Sequence, residues 1–230
     1  MRMNLKSCAC AFLTIAALAA SFTLAADDIL KPGVQPDHSK SLFDGKDTSD
    51  WVVFGSKDPA DWPVEDGVMV SAKHDIATKA KFKDFQLHVE FNEPSLGPEF
   101  KGQDRGNSGV FLQGRYELQV LDSYHNDTYA NGACGAIYGV KAPLKMVPKP
   151  PGEWQTYDIT FHAAKFEDGK KVSNAHVTVY WNGELVQDNT EIPHETGSGS
   201  KETAAGGPIR LQFHHHSVKF RNIWIVPIKG

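Results

Sequence analysis

Along most of the chain, apolar and polar residues alternate in short runs with a period of two. In FQLHVEF (85–91), Phe85, Leu87, Val89 and Phe91 fall on one side, with Gln86, His88 and Glu90 on the other. SGVFLQG (108–114) and YELQVLD (116–122) alternate in the same way on either side of a short Gly114-Arg115 turn, which predicts two neighbouring antiparallel strands. EWQTYDITFHA (153–163), AHVTVYWNGELVQD (175–188), PIRLQFHHHS (208–217) and VKFRNIWIVPI (218–228) add further strands. Asn182-Gly183 reads as a hairpin turn, because both residues accept positive φ. No segment sustains a 3.6-residue apolar period over a helix length, so the chain is all-β, a sandwich or barrel of short strands.

Two stretches interrupt the alternation, NEPSLGPEFKGQDRGN (92–107) and IPHETGSGSKETAAGG (192–207). Both are polar and rich in Gly or Pro, and long loops on a regular scaffold commonly carry a site. At the N-terminus, residues 1–26 run from basic Arg2 and Lys6 through an apolar stretch to small residues before Asp27-Asp28. That is the pattern of a cleaved secretory signal peptide, too short and too interrupted for a membrane span. Export implies a secreted or periplasmic protein with no transmembrane segment after cleavage. Residues 27–40 read as an extended leader, and 41–230 as one domain. Two of the three cysteines leave with the signal, so Cys134 has no partner for an internal disulfide and stability must come from the core. A formal charge of −4 without a dense Lys/Arg cluster argues against nucleic acid as a partner.

The polar sides of the strands are unusual. Instead of mixed Lys, Thr and Ser they offer Glu90, Gln113, Glu117, Gln119, Gln212 and His214, groups that suit sugar hydroxyls and proton transfer. Glu117 and Asp122 invite comparison with a glycosidase acid pair, whose carboxyl groups stand ~5 to 5.5 Å apart in retaining enzymes and ~6.5 to 9.5 Å in inverting ones. In a regular strand, residues five apart point to opposite faces, so only a β-bulge would bring the two together. The spacing leaves that open. In jelly-roll glucanases of the laminarinase type, the bulged strand reads Glu-x-Asp-x-x-Glu; here the same positions are Glu117, Gln119 and Asp122. The middle acid is an amide and the last is a methylene shorter, which equips the strand poorly for double displacement.

A series of blocks in order carries a more specific resemblance: SLFDGKDTSDW (41–51), WPVEDGVMV (62–70), FQLHVEF, GNSGVFLQGRYELQVLDS (106–123), GAIYG (135–139), PPGEWQTYDI (150–159), VYWNGELVQD (179–188) and GPIRLQFHHHSVKFRNIWIVPI (207–228). Together they resemble the 3-keto-disaccharide hydrolase family. The resemblance implies a concanavalin A-like jelly-roll β-sandwich of two antiparallel sheets. It also implies an enzyme acting on oligosaccharides or glycosides whose C3 hydroxyl a partner sugar oxidoreductase has already oxidised. His215 departs from that family, which typically has Gly there.

A C3 ketone acidifies the C2 proton, so a base can remove it, the glycosidic oxygen can leave from C1, and water can add back. Direct hydrolysis is the other route. The candidates for proton transfer are Glu90, Glu117, Asp122 and His214. Those for holding substrate are Asn107, Gln113, Arg115, Gln119, Tyr138 and Gln212, and a divalent metal on Glu117, Asp122 and His214 is a candidate cofactor. The competing reading is a non-catalytic carbohydrate-binding module on the same sandwich, since this fold hosts both. The crowd of ionisable groups favours the enzyme.

Overall fold

The computed structural model describes residues 32–228. The expected signal peptide and the first part of the expected leader lie outside the described residues. In chain order the strands are β1 (Lys40–Phe43), β2 (Trp51–Val53), β3 (Val64–Glu65), β4 (Val68–Val70), β5 (Ile76–Thr78), β6 (Asp84–Asn92), β7 (Ser108–Leu112), β8 (Tyr116–Val120), β9 (Gln155–His162), β10 (Lys165–Glu167), β11 (Lys170–Ser173), β12 (Ala175–Trp181), β13 (Glu184–Ile192), β14 (Arg210–Leu211) and β15 (Lys219–Ile228). The only helical pieces among the described residues are two three-residue 3-10 turns, at Gly102–Asp104 and Ala130–Gly132.

These strands form a jelly-roll sandwich. An eight-stranded antiparallel sheet runs β13-β12-β9-β6-β15-β4-β3, with β1 paired to β15, and a five-stranded sheet runs β2-β5-β14-β7-β8. The apolar sides of both meet in one core. Phe85, Leu87, Val89 and Phe91 of β6 and Tyr157, Ile159 and Phe161 of β9 face Val110, Leu112, Tyr116, Leu118 and Val120, all of them fully buried. Ring contacts cross the interface at Tyr116–Phe161, with centroids 5.5 Å apart. From β9, the Tyr157 hydroxyl donates to the Gln119 carbonyl at 2.6 Å, so a buried polar group also links the layers.

Local turn chemistry mostly follows the sequence. Asn182 and Gly183 both adopt positive φ between β12 and β13, as their types require. The β7–β8 hairpin turns one residue earlier than expected, on Gln113 (φ 55°) and Gly114 (φ 65°), with the Arg115 amide donating to the Leu112 carbonyl. After Leu211 the expected strand gives way to a tight turn. The His216 amide donates to the His214 carbonyl at 2.8 Å, and His215 sits at the apex with φ 68°. That left-handed backbone explains why glycine suits the position His215 occupies.

Two sheets that pack by their apolar sides turn their polar sides in opposite directions. The polar side of β6, with Gln86, His88 and Glu90, is the outer face of the eight-stranded sheet. The polar side of β8, with Glu117 and Gln119, is the outer face of the five-stranded sheet. The single polar face expected for Glu90, Glu117, Gln119, Gln212 and His214 is therefore two faces.

Candidate functional site

The outer face of the five-stranded sheet is covered by loops that leave a cavity of about 330 Å³. Glu117 and Gln119 of β8 and Gln212 and His214, beyond β14, supply the sheet side of its lining. The 92–107 loop adds Gln103 and Asn107, the segment after β8 adds Tyr129 and Tyr138, and the 192–207 loop adds Gly197 and Ser198. Both long loops flagged by their composition thus reach the cavity.

Register places Glu117 opposite Phe111 and Gln119 opposite Gly109 on β7. The missing side chain at Gly109 makes room for the carboxyl group, because a Cβ there would stand 2.7 Å from Glu117 Oε1. A Cβ on Gly197 would stand 2.5 Å from Glu117 Oε2, so the carboxyl group is held between two glycines. The loop carrying Gly197 is tied down around it. Thr196 Oγ1 accepts the Glu117 amide at 2.7 Å, the Thr196 amide donates to the Arg115 carbonyl, and the Ser200 amide donates to the Gly114 carbonyl. Arg115 donates to Thr203 Oγ1 at 2.7 Å, and the Tyr116 hydroxyl donates to Glu202 at 2.7 Å.

This enclosure sets the protonation of Glu117. Burial pushes its carboxyl up to about 8; Arg210 pulls it down and Asp75 pushes it up, both more weakly. Arg210 lies between the rings of Phe54 and Phe111, 4.2 and 4.1 Å from their centroids, and forms an ion pair with Asp75. Its remaining donors reach the Ser198 carbonyl at 2.9 Å and the Ser198 hydroxyl at 2.8 Å.

A network of amides fixes the other end. Gln119 Nε2 donates to Gln103 Oε1 at 3.1 Å and to Asn107 Oδ1 at 3.4 Å, while Asn107 Nδ2 donates to the Gln103 carbonyl at 2.8 Å. Gln103 Nε2 is spent on Thr128 and the Gly132 carbonyl. Three atoms of the lining residues are buried without a partner: Gln119 Oε1, Gln212 Oε1 and His214 Nδ1. Each such atom costs about 1–3 kcal/mol unless something donates to it. The hydroxyls of Tyr129 and Tyr138 join at 2.7 Å, and their rings supply the apolar part of the wall.

Of the residues named from sequence, Asn107, Glu117, Gln119, Tyr138, Gln212 and His214 converge on the cavity. Four do not. Glu90 lies on the opposite side of the sandwich, where Arg221 Nε reaches it at 2.6 Å and Asn222 Nδ2 at 2.8 Å. Asp122 lies past the end of β8, ion-paired with Arg105 at 2.7 Å, and no bulge carries it round to Glu117. Gln113 occupies the hairpin turn and donates to the Phe82 and Lys83 carbonyls, and Arg115 binds Gln113 and Thr203. Arg115 thereby braces the 192–207 loop that covers the site, and Gln113 braces the entry to β6. The metal set Glu117, Asp122 and His214 is likewise not assembled, and no group of three His, Cys, Asp or Glu side chains among the described residues is placed to hold an ion. The reading from sequence passed over Gln103, Tyr129, Gly197, Ser198 and Arg210. Arg210 was within reach, since it shares strand parity with Gln212 and His214.

Residues 38–226 match the profile of the 3-keto-alpha-glucoside-1,2-lyase-like domain. A crystal structure from Parabacteroides distasonis, of a protein provisionally classed as a glycosyl hydrolase, is similar over 84% of this chain and 85% of its own, with 43% identity and a TM-score of 0.78. Another from the same organism, with the same provisional class, has 26% identity and a TM-score of 0.57 over 83% of this chain and 99% of its own. A third shares the fold at 22% identity and a TM-score of 0.60, over 83% of this chain and 94% of its own. No curated protein matches the chain significantly.

Proposed function

The chain belongs to the 3-keto-alpha-glucoside-1,2-lyase-like family, and on that footing we propose that it cleaves 3-keto-glycosides by removing the C2 proton, expelling the C1 oxygen and adding water back. Family and structural relatives indicate a carbohydrate-active domain of the glycosyl-hydrolase kind. The observation that carries the finer reading is that Glu117 is the one carboxyl group among the described residues lining the cavity. Displacement at C1 needs two carboxyl groups across the scissile bond. Elimination needs one base, one acid and a donor for the developing oxyanion.

The roles follow from protonation and hydrogen bonding. With its carboxyl pushed up to about 8, Glu117 is mostly a neutral acid at pH 7, suited to protonating the departing glycosidic oxygen. His214 also lines the cavity, and its imidazole is suited to accepting the C2 proton. The C–H electrons pass into the C2–C3 bond and place charge on the C3 oxygen. Re-formation of the ketone then makes the C1–C2 double bond as the C1–O bond breaks. Gln119 and Gln212 line the wall that meets the sugar hydroxyls, and Tyr129 and Tyr138 face the C–H surface of the ring.

A sugar oxidoreductase that supplies the ketone is the implied partner. The charged and apolar pattern of residues 1–26 supports action outside the cytoplasm, which the N-terminal sequence of the exported protein tests.

The decisive assay offers purified protein a 3-keto-glycoside and its unoxidised parent in heavy water. Turnover of the keto sugar with deuterium at C2 is the expected result. Cleavage of the parent alone, keto-sugar cleavage without C2 exchange, or saturable binding without product would each sink the proposal.

A further inference from the structure

The proposed elimination leaves one part unassigned, the group that receives the charge on the C3 oxygen. We propose that this group is the Ser198 hydroxyl, oriented and polarised by Arg210. The inference rests on the reaction proposed above and adds to it a catalytic donor.

Most donors around the cavity are already spent. The amide nitrogens of Gln103, Asn107 and Gln119 are committed to one another or to loop carbonyls. Ser198 differs, because its oxygen accepts from the Arg210 guanidinium at 2.8 Å, and its own proton is then the part left to donate. A hydroxyl that accepts from a cation is a stronger donor than a free one, since the charge draws electron density from its O–H bond. The bond to the Ser198 carbonyl at 2.9 Å makes the contact two-pronged, which fixes the residue's orientation as well as its charge environment.

Arg210 is itself immobilised. Two phenyl rings hold its guanidinium plane and Asp75 takes its Nε at 2.7 Å, so little reorganisation is needed when charge appears. Ser198 follows Gly197 directly, and Gly197 abuts the Glu117 carboxyl group. Acid and oxyanion donor thus stand beside each other at one wall of the cavity, Glu117 on β8 and Ser198 on the loop that covers it. A C3 alcohol could still accept a hydrogen bond there but would develop no charge, so the donor would contribute to binding and nothing to rate.

The test compares wild type, Ser198→Ala, Ser198→Thr and Arg210→Lys on a 3-keto-glycoside. Loss of one oxyanion donor typically costs about 10²- to 10³-fold in kcat. Ser198→Ala is expected to show that loss with KM little changed, and C2 deuterium exchange should slow in step. Ser198→Thr, which keeps a hydroxyl, should recover most of the rate. Arg210→Lys keeps the charge and loses the fork, so kcat should fall while KM holds; should Arg210→Lys fail to fold, the Ser198 pair decides alone. If wild type turns over the keto sugar and Ser198→Ala matches it, or loses only KM, this inference is overturned while the proposed reaction stands. If wild type shows no turnover, it is the reaction that fails.

Discussion

Replacing Glu117 with Gln should stabilise the protein at alkaline pH while removing its activity. Glu117 is 4% exposed, and burial raises its carboxyl from 4.5 to about 8. Between those values the folded chain keeps a proton that the unfolded chain has released, so stability falls as pH rises from about 5 and levels off above about 8. At 1.36 kcal/mol per tenfold, the cost of holding this group folded grows by ~4 kcal/mol between pH 5 and pH 9. Glutamine keeps the shape and has no proton to lose. Urea denaturation should therefore give near-equal stabilities for the two proteins at pH 5 and a Glu117→Gln variant several kcal/mol more stable at pH 9. The variant should retain some alkaline sensitivity, because fully buried Glu93 is also pushed up to about 8. A gap of the same size at both pH values, or a wild type more stable at pH 9, would refute the claim that desolvation sets the Glu117 proton.

The same proton should shape the rate: kcat/KM is expected to decline above about pH 8 as the acid is lost, whereas a limb rising through that value would make Glu117 the base. Gly197→Ala would push a methyl group against Glu117 Oε2 at a residue whose φ is 51°, so activity should fall at least tenfold with the fold intact by circular dichroism. Glu90→Gln should leave kcat and KM unchanged, as befits a residue paired with Arg221 and Asn222 on the opposite face. Beside it, His88 Nδ1 meets Asp158 at 2.6 Å with both side chains buried, and His88→Ala should cost about 3–5 kcal/mol in urea without altering kcat.

Much of the candidate site could be read from the strands because a side chain's direction along a strand depends only on parity. Glu117 and Gln119 on β8 share parity, as do Gln212 and His214, and the structure brings these four together. The two long loops were legible as site carriers from their length and polarity, though which of their residues touch the cavity was not. Gly197 and Ser198 owe their places to ties made elsewhere, by Thr196 to β8 and by Ser198 itself to Arg210. Gln113 and Arg115 failed as site residues for a local reason. The positive φ of Gln113 takes it out of the strand, and its side chain turns to the Phe82 and Lys83 carbonyls while that of Arg115 turns to Thr203.

By itself, the sequence determined that the chain forms an antiparallel sandwich, which residues face its core, and which family it resembles. All of these rest on short-range alternation or on blocks of residues in order. Only the tertiary structure decided which polar residues face one another. Glu90 and Glu117 have equally clear alternation, yet they belong to different layers, and layers joined by their apolar sides must direct their polar sides apart. Parity along a strand separates inside from outside. Front and back are separated by which sheet the strand joins, and that is set by pairing partners far away in the chain.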